Sequence, residues 1–304
     1  MPPLRTVADH PLHQPILSWY AQAARDLPWR RPGASPWAVL VSEVMFQQTP
    51  VARVVPVHQA WLTRWPTPPD LAAEPAGEAV RGWGRLGYPR RALRLHEAAT
   101  AISIRHGGAV PDDLDALQDL PGIGAYTAAA VASFAFGQRH AVLDTNVRRV
   151  QARVVSGLAR AGATVSRAEN RLAHELLPDD PATAARWAVA VMELGALVCQ
   201  ARVPRCDACP VRDRCAWRRG GAPAHAGPVR PAQSYAGTDR QVRGLLLEVL
   251  RSANGPVRRT ALELVWSEPV QRQRALDGLV ADGLVEPVEP GAPTESGGFR
   301  LPGG

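Results

Sequence analysis

The sequence predicts a mainly α protein. Three observations carry that expectation. Apolar residues recur at helical spacing from about residue 13 to 198, alternating strands are scarce there, and no repeat of 20–50 residues marks a solenoid. Ser35-Pro36 reads as an N-cap with proline at the first helical position, opening a helix through about Gln48. Further helices are expected over 51–64, 76–83, 90–106, 112–119, 125–136, 145–157, 166–177 and 182–198. Residues 218–237, rich in Gly, Pro and Ala, read as a linker. After it, Thr238 caps an expected helix through about Ser252, and helical patterns follow near 259–266 and 269–283. Leu284–Val288 and Gly298–Leu301 are strand candidates around a Pro/Gly/Glu turn. Three helices and a hairpin suggest a small winged-helix-like segment. The expected division is 1–217, a linker at 218–237, and 238–304.

Composition bounds the function. A chain of 304 residues, 46% hydrophobic, can bury a core and is expected to form two domains at about 150 residues each. No apolar run approaches the roughly 18 residues of a membrane span, and the opening MPPLRTVADH lacks the apolar core of a signal peptide. A soluble cytoplasmic protein with no membrane partner is expected. Lys+Arg number 35 against 28 Asp+Glu, a net charge of +7 that points to polyanionic partners. Every one of those cations is arginine, so no side chain can form a Schiff base.

All four cysteines fall in one loop: Cys199, Cys206, Cys209 and Cys215. Secreted disulfide scaffolds spread their cysteines through a short chain, and the common zinc pattern is two separated C-x2-C knuckles. Four thiolates from one short loop suit a [4Fe–4S] cluster, with a structural zinc or unliganded thiols as the alternatives.

Three further stretches carry chemistry. Asp119–Thr127 (DLPGIGAYT) lies between two helical segments, where Gly122 and Gly124 allow a tight turn and close backbone approach. Amide groups at the following helix N-terminus would favour a phosphate; the alternative is an ordinary helical hairpin. Asp144 follows an apolar triplet and opens a helical pattern, as an N-cap would. Amide donors and the helix dipole there stabilise an ionised carboxylate, so a depressed pKa is expected. Glu43 stands in the almost wholly apolar run Trp37–Phe46. A carboxyl buried there is either salt-bridged or kept protonated for donation.

Together these motifs resemble a known family. Ser42–Thr49 (SEVMFQQT), Leu86-Gly87-Tyr88, Leu120–Thr127 (LPGIGAYT), Leu143–Arg149 (LDTNVRR) and the four-cysteine loop occur in the order seen in MutY-type adenine DNA glycosylases of the endonuclease III superfamily. The likeness covers roughly residues 13–217 and implies a helix-hairpin-helix glycosylase fold with a [4Fe–4S] loop at 199–215. It implies a base excision repair enzyme acting on mispaired double-stranded DNA, a monomer associated with the nucleoid. By that resemblance Glu43 protonates the adenine and activates water, and Asp144 stabilises or traps the sugar cation. Tyr126 stands where bifunctional relatives carry a nucleophilic lysine, and Asn146 supports the aspartate. Gln48, Thr49, Leu86 and Tyr88 resemble residues that enter the duplex at the orphaned base, while Arg30 and Glu193 resemble groups near the extruded adenine. Arg202, Arg205, Arg212 and Arg214 of the cysteine loop are placed for phosphates.

One departure stands out. Typical members end in a Nudix-like domain that reads 8-oxoguanine, and the 69 residues from 236 to 304 are too few for it. Three functions follow: an adenine glycosylase acting opposite 8-oxoguanine or guanine, a glycosylase for thymine or uracil opposite guanine, and a non-catalytic iron–sulfur DNA-binding protein. Residues 238–304 then either clamp DNA or pack as a helical cap.

Overall fold

A computed structural model describes residues 10–225, 235–288 and 297–303. Its helices are α1 (His13–Ala23), α2 (Pro36–Phe46), α3 (Val51–Arg64), α4 (Pro68–Ala72), α5 (Ala76–Trp83), α6 (Arg90–Arg105), α7 (Leu114–Gln118), α8 (Ala125–Phe136), α9 (Thr145–Val154), α10 (Arg167–Glu175), α11 (Pro181–Leu197) and α12 (Ala216–Arg219). Then come α13 (Asp239–Ser252), β1 (Val257–Arg258), α14 (Arg259–Glu263), α15 (Pro269–Ala281), β2 (Glu286–Val288) and β3 (Gly298–Arg300). The mainly α expectation holds. Among the described residues no helix is long and apolar enough to cross a membrane.

Local chemistry sets many of these boundaries. Ser166 and Glu169 form a capping box on α10, as Thr67 and Asp70 do on α4. Asp180 caps α11 and Glu268 caps α15, each followed by proline at the first helical position. Thr238 occupies the N-cap of α13 without capping it, because its hydroxyl donates to the Tyr235 carbonyl at 2.7 Å. Helix α12 extends through Arg219, so the expected linker begins inside a helix. Residues 226–234 of that linker lie outside the described residues.

The chain forms two compact units. One comprises the described residues within Met1–Val39, Asp112–Gln118 and Gly124–Val229; the other those within Leu40–Pro111, Asp119–Ile123 and Arg230–Gly304. In the first, Ile16 of α1, Val147 and Val150 of α9, and Trp187, Val191 and Leu194 of α11 share one buried cluster. There α9 and α11 cross so closely that a Cβ at Gly195 would sit 2.6 Å from the Asn146 Cβ. Only glycine fits that crossing.

In the second unit Trp61 stacks edge-on against both Trp65 and Trp83, with centroids 4.6 and 5.9 Å apart. The C-terminal residues belong to this unit and run α13–β1–α14–α15–β2–β3. Their sheet has the order β1-β3-β2, with Val257 opposite Phe299 and Phe299 opposite Pro287, all antiparallel. The two strand candidates of the tail are therefore paired, and β1 joins them.

Candidate active site

Asp144 caps α9. Its Oδ1 accepts the Val147 amide at 2.6 Å and its Oδ2 accepts the Asn146 side-chain amide at 2.7 Å. Asn146 is held in turn, its Oδ1 accepting from Arg149 at 2.7 Å. Arg149 also donates to the Gly195 carbonyl at 2.8 Å and the Cys199 carbonyl at 2.7 Å. The cap was legible, but the pKa direction is reversed. Burial pushes the Asp144 carboxyl above its ordinary value, and the hydrogen bonds from Val147 and Asn146 only partly offset it.

Glu193 lies in α11 with no exposed side-chain surface. Arg25 grips it through Nε and Nη2 at 2.6 and 2.8 Å, and Arg30 adds a third contact at 2.8 Å. Burial alone would push this carboxyl up; the Arg25 hydrogen bonds and the Arg30 charge outweigh it and hold it at about 2. The two residues expected together are together. Arg25 was missed, since nothing local in the sequence links it to a partner 168 residues away.

The four cysteines line one small pocket, shared with Arg153, Trp217 and other residues and partly open to solvent. Arg153 also escaped the sequence reading. It is buried, donates to the Cys199 Sγ at 3.4 Å and to the Gln200 and Ala201 carbonyls at 2.8 and 3.1 Å, and stacks on Trp217 at 4.9 Å. Burial first, then the neighbouring thiols, push the Cys209 thiol up to about 11. Four thiolates cannot crowd there without positive charge to hold them, and a bound metal would supply it. Among the described residues no three His, Cys, Asp or Glu side chains converge on a single ion. Four sulfur donors in one loop have the chemistry to hold either a structural zinc or an iron–sulfur cluster. Around them Arg202, Arg205, Arg212 and Arg214 are exposed; Arg212 pairs with Asp207 at 2.9 Å.

Glu43 is buried in α2, and its neighbours Ser42 and Val44 are buried with it. Glu43 and Asp144 belong to different units. Tyr126 sits half-buried in the first turn of α8 against the cluster of Ala129, Ala130, Val142 and Ala188. In the turn before it, Leu120 and Ile123 are buried anchors while Gly122 and Gly124 are exposed. Gly122 has φ +77, and a Cβ there would meet the Arg94 Cβ at 2.7 Å. Gly124 opens α8 without a capping side chain, and a Cβ there would meet nothing within 4 Å. The backbone is open to a close-lying ligand at that point.

Two turns of the second unit carry left-handed non-glycine residues: Gln48 at φ 61 and Tyr88 at φ 49. Both side chains are exposed. Such backbone is uncommon outside glycine and concentrates at functional sites. The turns brace each other. Thr49 Oγ1 lies 3.5 Å from the Leu86 carbonyl, Arg91 donates to the Gln47 carbonyl, and Arg53 donates to the Arg85 carbonyl. The Arg91 guanidinium stacks on Tyr88 at 4.6 Å. Of the four residues expected to enter a duplex, Gln48 and Tyr88 are presented outward. Thr49 and Leu86 are buried in this structure, at 7% and 4% exposed, and hold the turns instead.

Comparison with known proteins identifies the family. Residues 41–175 match the family described as "HhH-GPD superfamily base excision DNA repair protein". The chain is 53% identical over 289 residues to an adenine DNA glycosylase of Mycobacterium tuberculosis, covering 95% of this chain and 92% of that protein. It is 44% identical over 213 residues to the Homo sapiens adenine DNA glycosylase, covering 67% of this chain and 39% of that one. A solved thermostable thymine-DNA glycosylase superposes with a TM-score of 0.61 at 28% identity, covering 68% of this chain and 94% of that chain. The chain belongs to the adenine DNA glycosylase family of the HhH-GPD superfamily of base excision DNA repair proteins.

Proposed function

We propose that this protein hydrolyses the N-glycosidic bond of adenine mispaired with 8-oxoguanine or guanine in double-stranded DNA. The observation that carries the reading is the hydrogen-bonded Asp144 carboxylate at the head of α9, in a chain 53% identical to an adenine DNA glycosylase. Adenine must first leave the stack, which costs least at a mispair. Glu43, buried in apolar α2, donates a proton to the leaving base. Asp144 lies near the developing sugar cation, where its negative charge lowers the barrier, and Asn146 fixes its orientation. Water then adds at the sugar carbon and returns its proton to the Glu43 carboxylate, which is ready to donate again. The Arg30–Glu193 pair is assigned to the pocket for the extruded base. The exposed Gln48 and Tyr88 contact the opposite strand, and Gly122, Gly124, Arg202 and Arg205 hold phosphates.

The same reading gives the domains. Residues 1–217 form the helix-hairpin-helix glycosylase domain. Residues 238–304, with helix–strand–helix–helix–strand–strand order and a β1-β3-β2 sheet, form a winged-helix-like domain. The protein acts as a monomer on cytoplasmic, nucleoid DNA.

Single-turnover assays on duplexes containing A:8-oxoG, A:G, T:G and U:G test the substrate. Adenine release from the first two is expected, with none from the others; release of thymine or uracil, or no release at all, overturns the reading. Because no lysine is present, base removal without strand cleavage and no borohydride-trapped adduct are expected. Efficient trapping at neutral pH would count against Tyr126 as the replacement for a nucleophile.

Cys199, Cys206, Cys209 and Cys215 would hold a [4Fe–4S] cluster. When bound, the cluster supplies the charge that keeps four thiolates together and so orders the arginine loop. Purified protein is expected to be brown, with about four irons per chain. Colourless protein with one zinc overturns the assignment.

A further inference from the structure

The C-terminal segment grips the turn that carries Tyr88 from both sides. Before the turn, Arg251 of α13 donates to the Val80 carbonyl at 3.0 Å, and Arg81 returns a hydrogen bond to the Arg251 carbonyl. Further back on α5, the Gly77 amide donates to the Pro302 carbonyl at 2.7 Å, and a Cβ at Gly77 would lie 2.7 Å from that oxygen. In the turn itself, Arg85 pairs with Glu248 through two contacts of 2.9 and 3.2 Å. Just after it, Arg90 of α6 pairs with Asp282 at 3.2 Å. In the stretch from Gly84 to Tyr88, Gly84 and Gly87 adopt positive φ freely, whereas Tyr88 at φ 49 needs its surroundings to hold it there.

We infer that the C-terminal segment is a positioning element for the Gly84–Tyr88 turn, with Arg251 and Glu248 as positioning residues for selectivity toward the base opposite adenine. The inference rests on the reading that Tyr88 and Gln48 contact DNA. Neither Arg251 nor Glu248 needs to touch the duplex. Arg251 fixes the end of α5, Glu248 fixes Arg85, and the Arg85 carbonyl accepts from Arg53, a few residues beyond Thr49. Docking of the segment thus sets both turns at once. Of the two contacts Arg251 carries more, because it is half-buried and donates a charge-assisted bond, whereas the Arg85–Glu248 pair is exposed. In this way the C-terminal segment influences reading of the opposite base.

The test uses full-length protein and duplexes with adenine opposite 8-oxoguanine or guanine. Arg251→Gln is expected to lower affinity for the 8-oxoguanine duplex by roughly fivefold to tenfold and to shrink the preference over guanine by about threefold or more. Base release at saturating protein should stay within about threefold of wild type. Glu248→Arg should show a smaller loss of the same kind, and the exchange Arg85→Glu with Glu248→Arg should restore the preference. A merely structural contact would lower the melting temperature without moving the 8-oxoguanine-to-guanine ratio. Folded variants with an unchanged ratio would overturn the inference. If Arg251→Gln does not fold, the exposed Arg85–Glu248 exchange decides the matter by the same ratio. Tyr88→Ala separates the two levels: if it leaves affinity and preference untouched, the reading of the turn as a DNA contact fails, and the positioning role falls with it.

Discussion

Asp144→Asn is expected to bind mispaired DNA with near-normal affinity and to lose base release by about 10³-fold or more. The substitution isolates charge from architecture. Asparagine is as good an N-cap as aspartate, so its side-chain oxygen can still accept the Val147 amide and α9 keeps its start. What disappears is the negative charge, and with it the hydrogen bond from the Asn146 amide, which would now face a second amide donor. Glu43→Gln should be comparably slow for a different reason, since an amide of the same shape cannot donate the proton the leaving base requires. Single-turnover base release and filter binding on the same preparations check both; near-wild-type turnover in either variant sinks its role. The acid side of the rate profile reports Asp144. Burial raises its pKa and Asn146 pulls it back, so Asn146→Ala should move that limb to higher pH.

The largest stability effect is expected at Glu193. Its carboxylate takes three side-chain contacts from two arginines and is fully buried. Glu193→Gln leaves both guanidinium groups without a counter-charge, which costs about 3–5 kcal/mol. For a protein of this size that is on the order of 6–20 °C in melting temperature. The pH dependence has a definite sign. The folded pKa of about 2 lies below the ordinary 4.5. The pair's contribution is therefore complete above about pH 4.5 and fades as pH falls toward 2. Thermal melts of the two proteins should diverge most near neutrality and converge in acid. A gap that stays constant down to pH 2 would show that the interaction is not ionic.

Helices with strong local signals were legible. The bounds expected at 51–64, 76–83 and 125–136 are those observed. Helix α1 has Leu12 at its N-cap, with neither a capping side chain nor the proline or glycine that marks the starts of those three helices. Helix α4 is a five-residue element and β1 a two-residue strand whose partner lies about 40 residues away. Such pairings leave no local periodicity to read. The site divides the same way. Glu43, Asp144 and the cysteines stand in short contiguous motifs, whereas Arg25 and Arg153 declare themselves only through partners supplied by distant segments. Helix capping predicted the hydrogen bond to Asp144, but burial comes from tertiary packing that no local motif encodes, and it reversed the direction of the pKa.

The bond from Arg251 to the Val80 carbonyl also constrains the order of events during synthesis, since it joins residues 171 positions apart. The first unit takes all its described segments from chain made by residue 225, so it can close early. Helix α5 belongs to the second unit and waits. Its backbone contacts at Val80 and Gly77 are completed only when residues 251 and 302 have emerged. Through most of translation the turn bearing Tyr88 therefore lacks its far support. A nascent chain stopped inside the linker would carry Glu43, Asp144 and all four cysteines without the brace that shapes its grip on DNA.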